Sequence, residues 1–500
     1  IACPFHRPED GADHERRSVS PLHLTTKEDV RLSVRPDLKS TTTYVLLEQE
    51  TWFEKELPFL MHFLQPGMAA VDIGANNGVY SLAMARAVGS TGKVFAYEPA
   101  EETRQLLEAS RLLNAADNLE VFGNALSDRE RTGFLRHGHS SELHVLSDVT
   151  SDTGGVGESV AVTTLDSTAV TRNWRSIDLL KIDAEGEEER IIAGGRRLFV
   201  EQAPLMMFEI KAGEEVNHGL HRTVEALGYR CFRVLPGVPV LVPFAADAPI
   251  DMFELNLLAA KPETAATLVG RNLLVAEIKP WHRGGTAGAG LELIGRQAYG
   301  PAFSFIRKPP SLEPDYAAAL DAYAVWRAPA ESMARRVGAL AFAASTLHAL
   351  CARAPTPARL STLARVAGEW GDRGPSFRAA RQLLEAIQRP GTALNEPFWP
   401  ASARFDSLPI VGDQALWFAA AAGDQFESAR SYSSCFGGGS PVLKWLCGLP
   451  YRSSEHLRRA LLLAAAAGHR PTVPPELGRD APDHLNAVLW RTGKVPGTAA

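Results

Sequence analysis

Cysteine is scarce in this chain, with five among 500 residues, and Cys3, Cys231, Cys351, Cys435 and Cys447 are scattered without a C-x-x-C pair. Such spacing argues against a thiolate zinc site and a disulfide framework, and makes a reducing cytoplasm the expected location. Long hydrophobic runs are also missing: no stretch approaches the roughly 18 apolar residues of a membrane span. The first residues, among them His6, Arg7, Glu9 and Asp10, lack the apolar core of a signal peptide. Extreme charge is absent as well, the net charge being −6, but it is unevenly shared. Residues 1–260 carry 25 Lys and Arg against 39 Asp and Glu, whereas 261–500 carry 27 against 19. The acidic half would repel phosphates and holds no N-P-P-Y base-flipping motif, so nucleic acid is not an expected partner. The basic half is expected either to face the acidic one, helping to hold an anionic substrate, or to be independently solvated.

One further absence is chemical. Residues 71–78 read V-D-I-G-A-N-N-G, closing an apolar run where a buried strand turns into a helix, but Ala75 stands where the dinucleotide fingerprint G-x-G-x-x-G has its second glycine. A pyrophosphate would fit poorly there, which disfavours a nicotinamide-dependent oxidoreductase. Glu98 ends the next apolar run, Val94 to Tyr97, where its two oxygens can accept both hydroxyls of a ribose. A nucleoside-containing cofactor without a bridging phosphate matches this pattern, and S-adenosylmethionine is the first candidate. Gly74 is expected to let the backbone approach the cofactor, and Gly78 to open the helix near Val79. Asp72, Asn76 and Asn77 complete that turn.

The length suits two or three domains. We expect an N-terminal extension (1–45), an α/β domain (46–260), a connecting region (261–310) and an α-helical domain (311–500). Trp52, Phe53, Leu57, Leu60 and Phe63 recur at helical spacing, predicting one helix over 47–63. Helices and strands then alternate: helix 79–88, strand 93–97, helix 101–113, strand 119–122, strand 177–182, a helix from Glu187, strand 205–210, a helix around 221–227, and strands 229–234 and 253–260. This rhythm predicts a Rossmann-like doubly wound sheet of seven strands, the last antiparallel. Residues 132–164 break it with short runs and glycines, among them Gly154 and Gly155, predicting an inserted β-hairpin and mobile loop that contacts substrate. Beyond 311 the chain is Ala-, Leu- and Arg-rich. V-A-G-E-W-G-D (366–372), A-A-A-A-G-D (419–424) and A-A-A-A-G-H (464–469) read as helices ending in glycine, in a helical repeat or a plain bundle.

The stretches V-D-I-G-A-N-N-G-V-Y-S-L (71–82), Y-E-P (97–99), N-A-L-S-D (124–128), I-D-L-L-K-I-D-A-E-G-E-E (177–188) and F-E-I-K (208–211) resemble the FkbM family of S-adenosylmethionine-dependent methyltransferases over roughly residues 40–260. The resemblance implies a class I methyltransferase fold and O-methylation of a hydroxyl, often on a sugar or a polyketide-type product. The expected acceptor is a sugar hydroxyl of a surface glycan, glycolipid or nucleotide-linked precursor. The helical half lies outside the resemblance. It is a candidate for self-association or a protein partner, and a rival reading makes the whole chain an inactive cofactor-binding scaffold for that module.

Ligands of a doubly wound sheet lie beyond the carboxyl ends of its strands, where Asp72, Glu98, Asp183 and Glu209 fall. Asn124 and Ala125 are placed to meet the adenine edge, with Asp128 assisting. Because a sugar hydroxyl is a weak nucleophile, a base must take its proton. Asp183 is the first choice, with Glu185 or Glu209 as orienting partner. Alternatively Asp183 and Glu209 hold a divalent cation such as magnesium, a less favoured reading. Glu187, Glu188 and Glu189 are accounted for by a helix N-terminus. His137, His139, His144, His218 and His221 read as solvated, Lys181 and Lys211 as neutralising partners of the acids, with substrate binding open to Lys211. Trp326, Trp370, Trp399, Trp417, Trp445 and Trp490 read as packing anchors.

Overall fold

The computed structural model describes residues 20–136, 138, 145–147, 157–212, 215–245, 250–283, 287–308, 310–389, 394–479 and 486–498. His137, His139, His144, Asp152, Gly154 and Gly155 lie outside the described residues, as do the side chains of Lys211 and His218. Among the described residues no helix is long and apolar enough to cross a membrane.

Eight strands form the central sheet: β1 (Ala69–Ile73), β2 (Lys93–Tyr97), β3 (Leu119–Phe122), β4 (Leu179–Ile182), β5 (Leu205–Glu209), β6 (Arg230–Leu235), β7 (Val240–Pro243) and β8 (Asn256–Ala260). Their order is β7-β6-β8-β5-β4-β1-β2-β3. From β5 to β3 the pairs are parallel, and β8 runs antiparallel to both β5 and β6. The expected seven-stranded plan is thus present with one strand added. The extra strand, β7, pairs antiparallel with β6 at the sheet edge. Its run V-P-V-L-V-P conceals it, because proline in a strand is tolerated chiefly at an edge.

The lead-in helix is not continuous. Helix α1 (Thr41–Gln49) stops at Glu50, which adopts a left-handed conformation (φ 61°), and α2 (Glu56–Phe63) begins afresh. Pro58 explains the restart: it has no N–H to give, so it sits in the first turn, where amide hydrogens have no partner within the helix. The segment 50–55 between them is free to line a cavity. Helices α3 (Val79–Val88) and α4 (Glu101–Leu113) follow β1 and β2 as expected.

The insertion forms more than a hairpin. Ala125–Leu126, Gly157–Thr163, Arg131–Arg136 and Val145–Ser147 lie side by side in that order as a small four-stranded sheet. Leu135, Val160 and Val162 form its buried face.

Beyond the sheet, Pro314–Trp326, Met333–Arg353, Pro357–Trp370, Arg373–Ile387 and Gln414–Arg430 pack each against the next. Trp326, Trp399, Trp417 and Trp490 are fully buried anchors, whereas Trp445 is exposed. Gly371 and Gly468 end their helices with positive φ, but Gly423 lies inside Gln414–Arg430. A Cβ there would meet the Trp445 ring at 3.0 Å, so this glycine serves close helix packing rather than termination.

The apolar core continues across the two halves. Leu235, Val240 and Val242 of the sheet edge share one cluster with Tyr323, Leu340 and Trp399. Tyr44, Leu57 and Leu60 share another with Leu461, Leu462 and Trp490.

Candidate active site

The turn after β1 is shaped by close approach. Gly74 has φ +75°, and a Cβ on it would lie 1.7 Å from the Asp183 carbonyl oxygen. The end of β4 therefore requires a glycine here, and the same residue lines the cleft described below. Gly78, at φ +87°, precedes α3, and a Cβ there would lie 2.3 Å from Leu107 Cδ1.

Glu98 is almost wholly buried at the end of β2. Its Oε2 accepts the Asn76 N–H and its Oε1 the Ala100 N–H, both at 2.9 Å. Each oxygen keeps a lone pair for a hydroxyl donor. Burial pushes its pKa up to about 7, against the pull of those two amides.

Beside it opens a cleft of about 1020 Å³. Of the residues expected at the site, Gly74, Asn76, Asn77, Glu98, Asn124, Ala125, Asp183 and Glu185 line it. Asp72, Gly78, Asp128 and Glu209 do not. Tyr97, Leu126, Leu135 and Leu146 give it an apolar flank, the last three from the inserted sheet. Asp128 instead lies 3.3 Å from the Ser127 hydroxyl and 3.5 Å from Arg131.

At the cleft's other end a buried lysine organises the acids. The β1–β4 register sets Lys181 beside Asp72, and its Nζ lies 3.5 Å from Asp72 Oδ1 and 3.0 Å from Asp183 Oδ2. Asp72 is fully buried and accepts the Ser81 hydroxyl at 2.5 Å, so it anchors the lysine and α3 from beneath. The lysine pKa is raised despite burial, chiefly by Asp183 and Asp72. It stays charged between the two carboxyl groups.

Glu54, in the break between α1 and α2, is a site residue the sequence reading missed. It lines the cleft and accepts the Tyr80 hydroxyl at 2.6 Å. Burial and the charge of Asp183 raise its pKa. No local motif marks it; the only available signal was the proline that splits the helix.

Oxygen atoms of Asp183, Glu185 and Glu209 gather within 4.8 Å of one another. Burial and then the charges of Asp183 and Glu185 push the Glu209 pKa up to about 10. Glu209 thus holds a proton at neutral pH. Three oxygen donors also suit a hard divalent cation such as magnesium. Glu185 has φ +50° ahead of Gly186 at +99°, while Glu188 turns back to accept the Ala184 and Gly186 amides.

Residues 72–231 match the model of the methyltransferase FkbM domain. Solved structures similar to the chain include an FkbM methyltransferase from Methylobacillus flagellatus, at 16% identity over 39% of this chain and 43% of that one, with a TM-score of 0.26. This chain therefore spans less than half of that protein's length. A SAM-dependent O-methyltransferase from Thermotoga maritima matches at 14% identity, over 48% of this chain and 78% of its own, with a TM-score of 0.25. Fibrillarin from Aeropyrum pernix, with natively bound S-adenosyl-L-methionine, matches at 15% over 49% and 84%, with a TM-score of 0.25. No curated protein matches the chain in sequence.

Proposed function

We propose that this chain is an S-adenosylmethionine-dependent methyltransferase, on the match of residues 72–231 to the FkbM domain model, and that the group it methylates is a sugar hydroxyl. The acceptor on this reading is a surface glycan, a glycolipid or a nucleotide-linked precursor, handled in the cytoplasm. The observation that carries it is the Asp183 carboxyl group on the cleft wall, 3.0 Å from the Lys181 ammonium. An acceptor that needs deprotonation calls for such a base.

The residues present fit the cofactor. Glu98 offers one free lone pair on each oxygen, and the apolar flank of Tyr97, Leu126 and Leu135 suits a purine face. When bound, S-adenosylmethionine supplies an activated methyl group on a sulfonium. Asp183 accepts the proton of the attacking hydroxyl, Lys181 holds that carboxylate in place, and Glu209, which keeps its own proton, stands beside Asp183 as an orienting partner. In-line alignment of nucleophile and methyl group can be worth as much as ~7–11 kcal/mol.

Substituting Asp183→Asn is expected to lower turnover by about 10²–10⁴-fold while S-adenosylhomocysteine affinity stays within about twofold. Turnover unchanged in the variant would remove Asp183 as base. Cation dependence is read separately: activity that survives EDTA leaves proton transfer to Asp183 alone, whereas activity lost and restored by magnesium assigns Asp183, Glu185 and Glu209 to an ion.

A further inference from the structure

A second cavity, of about 1280 Å³, lies where the methyltransferase domain meets the helices. The segment 50–55 is the wall between it and the cofactor cleft. Trp52 lines the cleft, Phe53 lines the second cavity, and Glu54 borders both. The far wall comes from Pro357–Trp370, Arg373–Ile387 and Gln414–Arg430.

Most charges here cancel in pairs. Arg365 lies 2.5 Å from Glu369 and 2.7 Å from Asp406. Arg459 pairs with Glu48 and Glu455, and Lys55 with Glu254. Arg373 is different. It donates to the carbonyl oxygens of Ala429 (3.0 Å), Ser428 (2.6 Å) and Ser431, and among the described residues no carboxylate forms an ion pair with it. Asp251, whose charge reaches it, turns its oxygens instead to the amides of Gly374 (2.8 Å) and Phe253 (2.9 Å). Burial lowers the guanidinium pKa to about 10, which leaves it charged at neutral pH. Asp251 and Glu455 act on this largely desolvated cation only from a distance, so an anion in direct contact would complete it.

Aromatic surface surrounds that cation. Its Cζ lies 4.9 Å from the centroids of both Phe253 and Tyr432. Phe53 meets Tyr432 at 5.0 Å, and the Tyr432 hydroxyl fixes the corner by donating to the Phe253 carbonyl at 2.6 Å. Aromatic faces beside a single cation suit a molecule with an apolar C–H face and one acidic group.

We propose that this cavity binds a sugar bearing a carboxylate or phosphate, with the acidic group on Arg373 and the sugar face against Phe53 and Tyr432. That the sugar is the methyl acceptor rests on the methyltransferase reading; that it binds here does not. The helical half then recognises the acceptor, and the acceptor's hydroxyl passes Glu54 to reach Asp183.

The test titrates the full chain, saturated with S-adenosylhomocysteine, with glucuronate, glucose 6-phosphate, glucose, acetate and inorganic phosphate, read by ligand-observed NMR. At least one acidic sugar is expected to bind about tenfold or more tighter than glucose and than its bare anion. Which of the two binds tells a sugar acid from a sugar phosphate. That preference should vanish in Arg373→Gln, and binding should be blocked in Ser428→Trp, which fills the cavity from an exposed position and leaves the ion pairs intact. Equal binding of glucose and the acidic sugars, bare anions binding as well as the sugars, or a preference that survives both variants would overturn the proposal. Failure of the chain to bind S-adenosylhomocysteine would instead strike the methyltransferase reading, and is seen before any sugar is added.

Discussion

At the scale of the residue, Glu98 ties cofactor binding to pH. Its pKa of about 7 means that it gains a proton as pH falls through neutrality. A ribose diol donates hydrogen bonds, so it needs the carboxylate form. The sign follows: S-adenosylhomocysteine affinity should be flat above pH 7 and fall by about tenfold per unit well below it. Calorimetric titration between pH 5.5 and 8.5 checks this, and an affinity that rises on acidification would refute the assignment. Glu98→Ala should lose about 10²-fold or more and flatten the profile, since a hydrogen bond to a charged group is worth ~1.5–3 kcal/mol. Gly74 makes a second prediction. Alanine there meets both a left-handed backbone and the Asp183 carbonyl oxygen at 1.7 Å. Gly74→Ala should cost about 2–5 kcal/mol in urea unfolding, the sum of backbone strain and overpacking. The place of Glu98 at the cleft was legible in the sequence because it needs only a strand end. Glu54 was not, since its place depends on a distant fold contact with Tyr80.

At the scale of the element, legibility follows how local the cause is. The strands 93–97 and 119–122 and the helix 101–113 emerge at their expected bounds because apolar runs and breakers alone define them. Pro58 marks where the second helix restarts, but what holds the end of α1 is non-local. Glu48 and Glu50 are fully buried, facing Arg459 at 3.2 Å and Arg458 at 3.4 Å on the helix Ser454–Ala466. Nothing in residues 41–63 reveals partners more than 400 positions away. The Ser434 amide also donates to both Glu48 oxygens at 3.1 Å. Arg459→Ala would leave Glu48 buried without its cation and Glu427 with Arg430 alone, and should cost about 3–5 kcal/mol in denaturant unfolding. A loss below about 1 kcal/mol would mean that water reaches this junction.

At the scale of the whole molecule, the division of labour read from the sequence meets a core that does not stop at residue 260. Leu235, Val240 and Val242 bury themselves among helices of the second half, while Tyr44, Leu57 and Leu60 pack on Leu461, Leu462 and Trp490. On its outer side the strand β7 meets only a single parallel bridge, Leu241 to Leu274, and the helices cover that flank. Both contacts are apolar, and removing them would return buried side chains to water at ~25 cal/mol per Å². Buried ion pairs at the junction add a reason against separation, because each half alone would keep one sign of charge in an apolar setting. The full chain should therefore melt in one calorimetric transition with equal calorimetric and van't Hoff enthalpies. A fragment ending at residue 260 should aggregate or bind the hydrophobic dye ANS. Two resolved transitions, or a soluble fragment with intact S-adenosylhomocysteine affinity, would show that the helices are an appendage. A single transition would instead mean that the cavity at the junction is held rigid by the fold, with the helical wall kept in register with Asp183.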